Sequence, residues 1–244
     1  MKKIILFCLG LAITACDDDL STELTDDNQV TEIPPFEGMK IKLIESENLR
    51  GKSSIEFFYN TNGFVDSIHT IKSYILAEKF IYNSLNQITE VRYNFKNPND
   101  NDYSVKNITY YEYNKINQII SLKKYNKNNI LFDIQNYIYN PDGTLYNPVK
   151  IVKNENLINN NSSGAYYTYT FDSYINPYYN IYPKAYKILN YINKNNVKSK
   201  ELKTPYQTLL WSYELSYNDD KYITNEIIRD YENGYDYNKF YYYP

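Results

Sequence analysis

Short stretches of alternating apolar and polar residues run through most of the chain. Ile55, Phe57 and Tyr59 fall on one face of an extended segment, and Val91, Tyr93 and Phe95 fall on one face of another. This is the period-two signature of half-buried β-strands. Between such stretches a short polar signature recurs. Phe58-Tyr59-Asn60-Thr61-Asn62-Gly63-Phe64-Val65 aligns with Ile81-Tyr82-Asn83-Ser84-Leu85-Asn86-Gln87-Ile88 and with Glu112-Tyr113-Asn114-Lys115-Ile116-Asn117-Gln118-Ile119, and looser copies begin at Tyr139, Phe171 and Tyr217. The pattern is an aromatic, an Asn or Asp, a short polar turn, and an apolar residue from which alternation resumes. An Asn or Asp side chain can cap such a turn, and a later Asn or Gly tolerates the left-handed backbone that a hairpin loop needs.

Successive copies lie 23, 31, 26, 32 and 46 residues apart, counted from Tyr59 through Tyr82, Tyr113, Tyr139 and Phe171 to Tyr217. Each interval suits one β-hairpin plus a connection of variable length. The expected fold is all-β, a long antiparallel meander of repeated hairpins curled into an open or barrel-like sheet. Two packed sheets in a sandwich are the alternative, since large twisted sheets rarely stay flat. Segments 97–102, 154–164 and 193–200 are rich in Asn and polar residues and read as exposed loops. After Pro183, the spacing of Ala185, Ile188, Leu189 and Ile192 predicts a short helix near 183–192. At that length it is stable only if packed.

The first residues obey a different rule. Lys2 and Lys3 precede an apolar run over 4–12, and Ile13-Thr14-Ala15 end in small residues before Cys16. That is a secretory signal, too short for the roughly 20 residues of a membrane-spanning helix. The run Ile13-Thr14-Ala15-Cys16 resembles the lipobox of bacterial lipoproteins, which implies cleavage before Cys16 and a lipid anchor on it, with the membrane as a partner through that lipid. Stable anchoring takes more than one acyl chain, which triacylation supplies. The following stretch, with Asp17-Asp18-Asp19 and Asp26-Asp27, is acidic and aperiodic, as a solvated tether is. The division is therefore a signal peptide over 1–15, a lipidated tether over 16–37 and one β domain over 38–244. The acidic cluster resembles the surface-export signal of Bacteroidetes lipoproteins. Asp17 also resembles the inner-membrane retention signal of enterobacteria, so the expected address is the cell envelope, outer membrane foremost, with the face left open.

Composition narrows the function. Cys8 and Cys16 are the two cysteines of the chain; one leaves with the signal and the other carries lipid, so disulfides, thiolate catalysis and Cys-ligated zinc have no residues to use. The chain carries 26 basic and 29 acidic residues, and losing Lys2 and Lys3 leaves 24 against 29, or −5. With no clustered basic face, nucleic acid is not an expected partner. His69 is the single histidine, which rules out sites needing two imidazoles; a packed or surface role suits it best. Seven glycines form no nucleotide or phosphate loop. Asp219-Asp220, Asp100 with Asp102, and Asp230 with Glu232 lack the spacing of a calcium loop. No catalytic residue, metal site or cofactor is therefore expected.

The repeated Tyr-Asn turn, Phe171-Asp172-Ser173-Tyr174-Ile175-Asn176-Pro177 and Tyr217-Asn218-Asp219-Asp220 together resemble Bacteroidetes lipoproteins of unknown function with a porin-like β fold, over about 40–228. More distantly they resemble the YD repeats of Rhs-type shells, which usually carry Gly where this chain has Asn86 and Asn117. The resemblance implies a fold and an envelope address, and no activity. Tyrosine, at 31 residues, is the abundant functional candidate. Its rings can stack on sugars or anchor a protein at low entropic cost, and Tyr166-Tyr167-Thr168-Tyr169, Tyr178-Tyr179 and Tyr241-Tyr242-Tyr243 are the runs to inspect. The ligand-binding residues and the oligomeric state are unknown at this level. The expectation is a non-catalytic binding or scaffold module for a glycan, peptide or envelope protein. An envelope hydrolase or lyase using a carboxylate pair is the alternative.

Overall fold

A computed structural model describes residues 32–34, 38–162, 164–230 and 234–243. The signal peptide, Cys16 and most of the tether lie outside the described residues, as does Glu232. The fold is built on one local device. Asn60 Oδ1 accepts from the backbone N–H of Asn62 and Phe64 at 3.0 and 3.1 Å, and Asn83, Asn114 and Asn126 do the same for residues two and four positions on, at 2.9 to 3.1 Å. The fourth residue of each turn is left-handed: Gly63 at φ 81°, Asn86 at 59°, Asn117 at 61° and Asn129 at 59°. A turn followed by one left-handed residue and a bulge is a standard hairpin closure, and Asn after Gly is the residue that bears that φ best. The bulge falls at the aromatic each time, between Phe58 and Tyr59, Ile81 and Tyr82, Glu112 and Tyr113, and Lys124 and Tyr125.

The resulting strands are β1 (Ile41–Asn48), β2 (Gly51–Tyr59), β3 (Val65–Ile71), β4 (Ile75–Tyr82), β5 (Ile88–Lys96), β6 (Ser104–Tyr113), β7 (Ile119–Asn126) and β8 (Leu131–Asn136), then β9 (Lys150–Lys153), β10 (Asn156–Ser162) and β11 (Ala165–Ile175). After helix α1 (Lys184–Leu189) come β12 (Asn195–Lys203), β13 (Thr208–Tyr217), β14 (Ile223–Asp230) and β15 (Gly234–Tyr242). All fifteen belong to one antiparallel sheet in which each pairs with its sequence neighbours, with one exception: β8 and β9 do not pair, whereas β1 pairs with β15. The two ends of the meander thus meet in mid-sheet, and the free edges are β8 and β9. Alternation of direction makes these two edges point the same way, so connection 137–149 runs where a sixteenth strand would run. It makes a short hairpin, with Tyr139 bridged to Leu145.

The sheet is curled. Gln118, beside β7, and Leu157, on β10, line the same cleft. Along the sheet their strands are twelve spacings apart, about 58 Å if it were flat. The concave side is filled by connection 176–194, which includes α1. Ile181, Tyr182, Ala185, Tyr186 and Leu189 join Phe57, Phe80, Val91, Tyr111, Ile119, Ile223 and Phe240 in one buried cluster. The Val65 N–H donates to the Ile181 carbonyl at 3.0 Å and pins the plug to β3. The helix begins directly after Pro183, within the expected 183–192, and ends sooner, at Leu189.

Two expected loops are strands. Residues 154–155 form the β9–β10 turn and 156–162 are β10, and 193–200 enters β12. Asn-rich composition misled here because β9 and β11 supply the pairing of β10, and the Asn side chains add to it: Asn156 Nδ2 donates to Asn195 Oδ1 at 2.9 Å and its Oδ1 accepts from the Asn195 N–H at 2.9 Å. The copy at Phe171 keeps half of the device. Asp172 Oδ1 accepts from the Tyr174 N–H at 3.0 Å, but β11 runs on through it, and Asp172 also accepts from the Asn196 N–H and side chain and from the Tyr217 hydroxyl. A true copy that the alignment missed sits at Tyr125-Asn126.

Candidate functional site

The repeat tyrosines are spent on the scaffold. Tyr59, Tyr82, Tyr113, Tyr139 and Tyr242 donate their hydroxyls to the carbonyls of Ile41, Val65, Ile88, Ile119 and Ile223, at 2.7, 2.6, 2.9, 2.8 and 2.7 Å. Each acceptor is the first residue of its strand. At Tyr82 and Tyr113 the latch thus ties a bulge to the strand that leaves the preceding turn. Neighbouring turns are also laced by side-chain amides, Asn62 to Asn86 at 2.6 Å and Gln87 to Asn117 at 2.9 Å. Burial pushes the latch phenols upward, Tyr139 to about 12 and the other four further.

Of the tyrosine runs singled out in the sequence, most are likewise occupied. Tyr178 is buried against Phe57, with ring centroids 5.9 Å apart. Tyr241 donates to Glu45 at 2.6 Å, and Tyr243 to the Phe57 carbonyl at 3.2 Å. Tyr166 accepts a bond from Asn159. His69 packs between Phe58 and Tyr103, at 4.8 and 5.9 Å, and desolvation lowers its pKa. Among the described residues no three His, Cys, Asp or Glu side chains gather as metal ligands would.

One run does reach open space. Tyr179 lines a cleft of ≈ 410 Å³ between α1, the β6–β7 turn, the 139–145 hairpin and the β9–β10 turn. Tyr139, Leu145, Val152, Leu157, Ile188, Tyr191 and Ile192 give it apolar wall, and Asn117, Gln118, Thr144 and Asn154 add polar groups. The volume lies within the usual range of small-molecule sites. The β9–β10 turn is unusual in placing both Asn154 and Glu155 at positive φ, 50° and 62°, where Asn-Gly is the common choice. Glu155 is held there from outside. Its carboxylate accepts from the Tyr179 hydroxyl and from Lys194 Nζ at 3.0 Å, and its carbonyl accepts from the Lys194 N–H at 3.2 Å. The Tyr179 bond first, and then Lys194, keeps the Glu155 pKa low. Asp142, also on the cleft, is held low by its bond to Thr144.

The cations are treated differently. Lys187 Nζ stands 3.7 Å from the centre of the Tyr179 ring, half-buried, and desolvation lowers its pKa to about 8 against the opposing pull of Glu155. Lys150 Nζ stands 3.8 Å from the centre of the Tyr191 ring and is also lowered by desolvation. Lys184 lines the cleft and is exposed. Among the described residues none of these three has a carboxylate within salt-bridge distance. Tyr191 itself has φ 51°, its hydroxyl is buried without a hydrogen bond of good geometry, and desolvation raises its pKa, opposed by the nearby Asn147. A bulky residue in that backbone region is a local strain of the kind that gathers at functional sites. Elsewhere, burial raises the pKa of two carboxyls, Glu78 on β4 and Glu226 on β14. They stand five strands apart in the sheet, and Glu226 is bonded to Asn238 at 2.8 Å.

No protein-family model and no curated protein matches the chain. Among solved structures it is similar to a porin-like protein from Bacteroides uniformis, at 7% identity and TM-score 0.46, covering 86% of this chain and 100% of that one. It is also similar to a porin-like protein from Bacteroides vulgatus, at 6% identity and TM-score 0.34, covering 85% of this chain and 100% of that one. A third similarity is to the Photorhabdus luminescens Tc holotoxin pore, at 12% identity and TM-score 0.24, where 78% of this chain spans 9% of the toxin chain.

Proposed function

We propose that this protein is a lipid-anchored module of the cell envelope that binds a ligand, without turnover, in the cleft beside α1. The observation that carries the reading is the cleft itself. It is an open space between the plug, the β6–β7 turn, the 139–145 hairpin and the β9–β10 turn, with part of its wall apolar, and its carboxylates are satisfied internally while its lysines have no carboxylate partner among the described residues. Both carboxylates on the cleft are held ionised, so neither supplies the proton-donating partner that a carboxylate-pair hydrolase needs near neutral pH. The envelope address rests on the signal and Cys16 in the sequence.

Two measurements test it. In cells, Cys16→Ala should release the domain from the membrane fraction, and protease shaving of intact cells then reports which face it occupies; retention of the variant in the membrane would sink the anchor. In vitro, Val152→Trp should block the cleft, because Val152 lines it from an exposed edge strand and its replacement disturbs no core contact. Ligand responses of the purified protein to envelope glycans and peptides should disappear in that variant. Responses that survive Val152→Trp, or turnover of any of these ligands, would refute the assignment.

A further inference from the structure

The chemistry of the cleft says more than that something binds. A site that leaves charged groups without partners is complementary to what would complete them. One ammonium group of the cleft lies over a tyrosine face, Lys187 on Tyr179, and a second, Lys184, lines the cleft beside it, while Lys150 lies over the lining residue Tyr191 without lining the cleft itself. A ring face attracts a cation but cannot accept three hydrogen bonds from it. The cleft's anions have no such vacancy, since Glu155 is taken by Tyr179 and Lys194, and Asp142 by Thr144. Beside the cations, Val152, Leu157, Ile188 and Ile192 supply apolar wall. The volume, ≈ 410 Å³, holds roughly a dozen groups the size of a water molecule, at about 30 Å³ each.

We infer that the cleft binds a small organic anion, a carboxylate carried on a compact apolar body, with the carboxylate on Lys187 and Lys184 and the body against Val152, Leu157, Ile188 and Ile192. The inference rests on the cleft being the binding site. That carboxylate has two sources, a free acyl or aryl acid and the C-terminus of a peptide ending in a large apolar residue, and both present the same groups to the cleft. The groups that face Lys187 are Tyr179, Glu155, Lys184 and Lys194. Two of the four are cations, so a ligand anion stabilises the protonated amine. Binding at about pH 8 should therefore draw protons from solvent, because Lys187 is partly neutral in the free protein.

Calorimetric titration of the full chain with decanoate, decanol and decyltrimethylammonium separates charge from apolar body. Peptides ending in phenylalanine, as free carboxylate and as amide, separate the sources. Decanoate or the free-carboxylate peptide should bind at least tenfold tighter than its uncharged counterpart, and the cationic amphiphile should be weakest. Lys187→Gln should cost roughly tenfold or more, the worth of a charge-assisted hydrogen bond. It should also abolish the proton uptake at pH 8, with the circular dichroism spectrum unchanged. Equal binding of decanol and decanoate, or wild-type affinity in Lys187→Gln, overturns the anion while binding that Val152→Trp removes still supports the cleft. If none of the five probes binds, the anion inference fails, and the glycan and peptide responses above then decide whether the cleft reading fails with it.

Discussion

Alkaline pH offers a direct test of how the tyrosines are used. Nine of them, Tyr59, Tyr82, Tyr93, Tyr111, Tyr113, Tyr178, Tyr182, Tyr186 and Tyr242, sit deep enough that desolvation is the first cause raising their pKa, Tyr93 to about 12 and the rest higher. In the unfolded chain a phenol titrates near pH 10. Above that pH the unfolded state has lost protons that the folded state keeps, so stability falls as pH rises. The loss per tyrosine is about 0.8 kcal/mol at pH 10.5 and about 1.4 kcal/mol at pH 11. Nine together give about 8 and about 13 kcal/mol, which spans the usual 5–15 kcal/mol stability of a domain. Lys187 works in the opposite sense between about pH 8 and its unfolded value, as one half-exposed group against nine. The expected result is a sharp, cooperative collapse between about pH 10.5 and 11, in which strand circular dichroism and tyrosinate absorbance change together. Gradual ionisation of these phenols near pH 10, with strand structure intact, would mean that their hydroxyls reach water in the native sheet and would refute the latch description.

Tyr82→Phe removes the 2.6 Å bond to the Val65 carbonyl and should lower stability by about 1–2 kcal/mol, read as a fall of several degrees in Tm, whereas Tyr206→Phe, 95% exposed, should leave Tm unchanged. The left-handed asparagines separate backbone need from ladder bonding. Asn129→Gly keeps a favourable backbone and should be neutral within about 0.5 kcal/mol, while Asn117→Gly also strips the acceptor of the buried Gln87 side chain and should cost about 1–2 kcal/mol in denaturant titration. Equal effects at the two positions would mean that the amide ladder contributes nothing.

The devices legible in the sequence are those decided within a few residues. An Asn that bonds to its own turn, a Gly or Asn at the left-handed position, alternation in the flanking strands and Pro183 before a helix act over two to five positions, and all stand in the structure at Asn60, Asn83, Asn114 and α1. The same local logic held only in part at Phe171, where Asp172 caps Tyr174 but β11 runs on, and undervalued the Asn-rich stretch 156–162, which the ladders with β9 and β11 hold as a strand. That Tyr59, Tyr82, Tyr113, Tyr139 and Tyr242 are structural had no local signal, because each of these five hydroxyls bonds to a carbonyl about 17 to 25 residues back.

What the sequence determined by itself is the inventory: antiparallel hairpins, their turn chemistry, a short helix, and the absence of a second histidine or of any thiol besides Cys8 and Cys16. What only the tertiary structure decided is closure. β1 meets β15 across nearly the whole chain, which leaves β8 and β9 as the free edges, and the curl of the sheet then brings the β6–β7 turn, α1 and the β9–β10 turn around one cleft. The physical reason is that turn geometry is set by side-chain to backbone bonds a few residues apart, whereas the pairing of distant strands and the cavity between them follow from which buried faces meet once the whole sheet has twisted and curled.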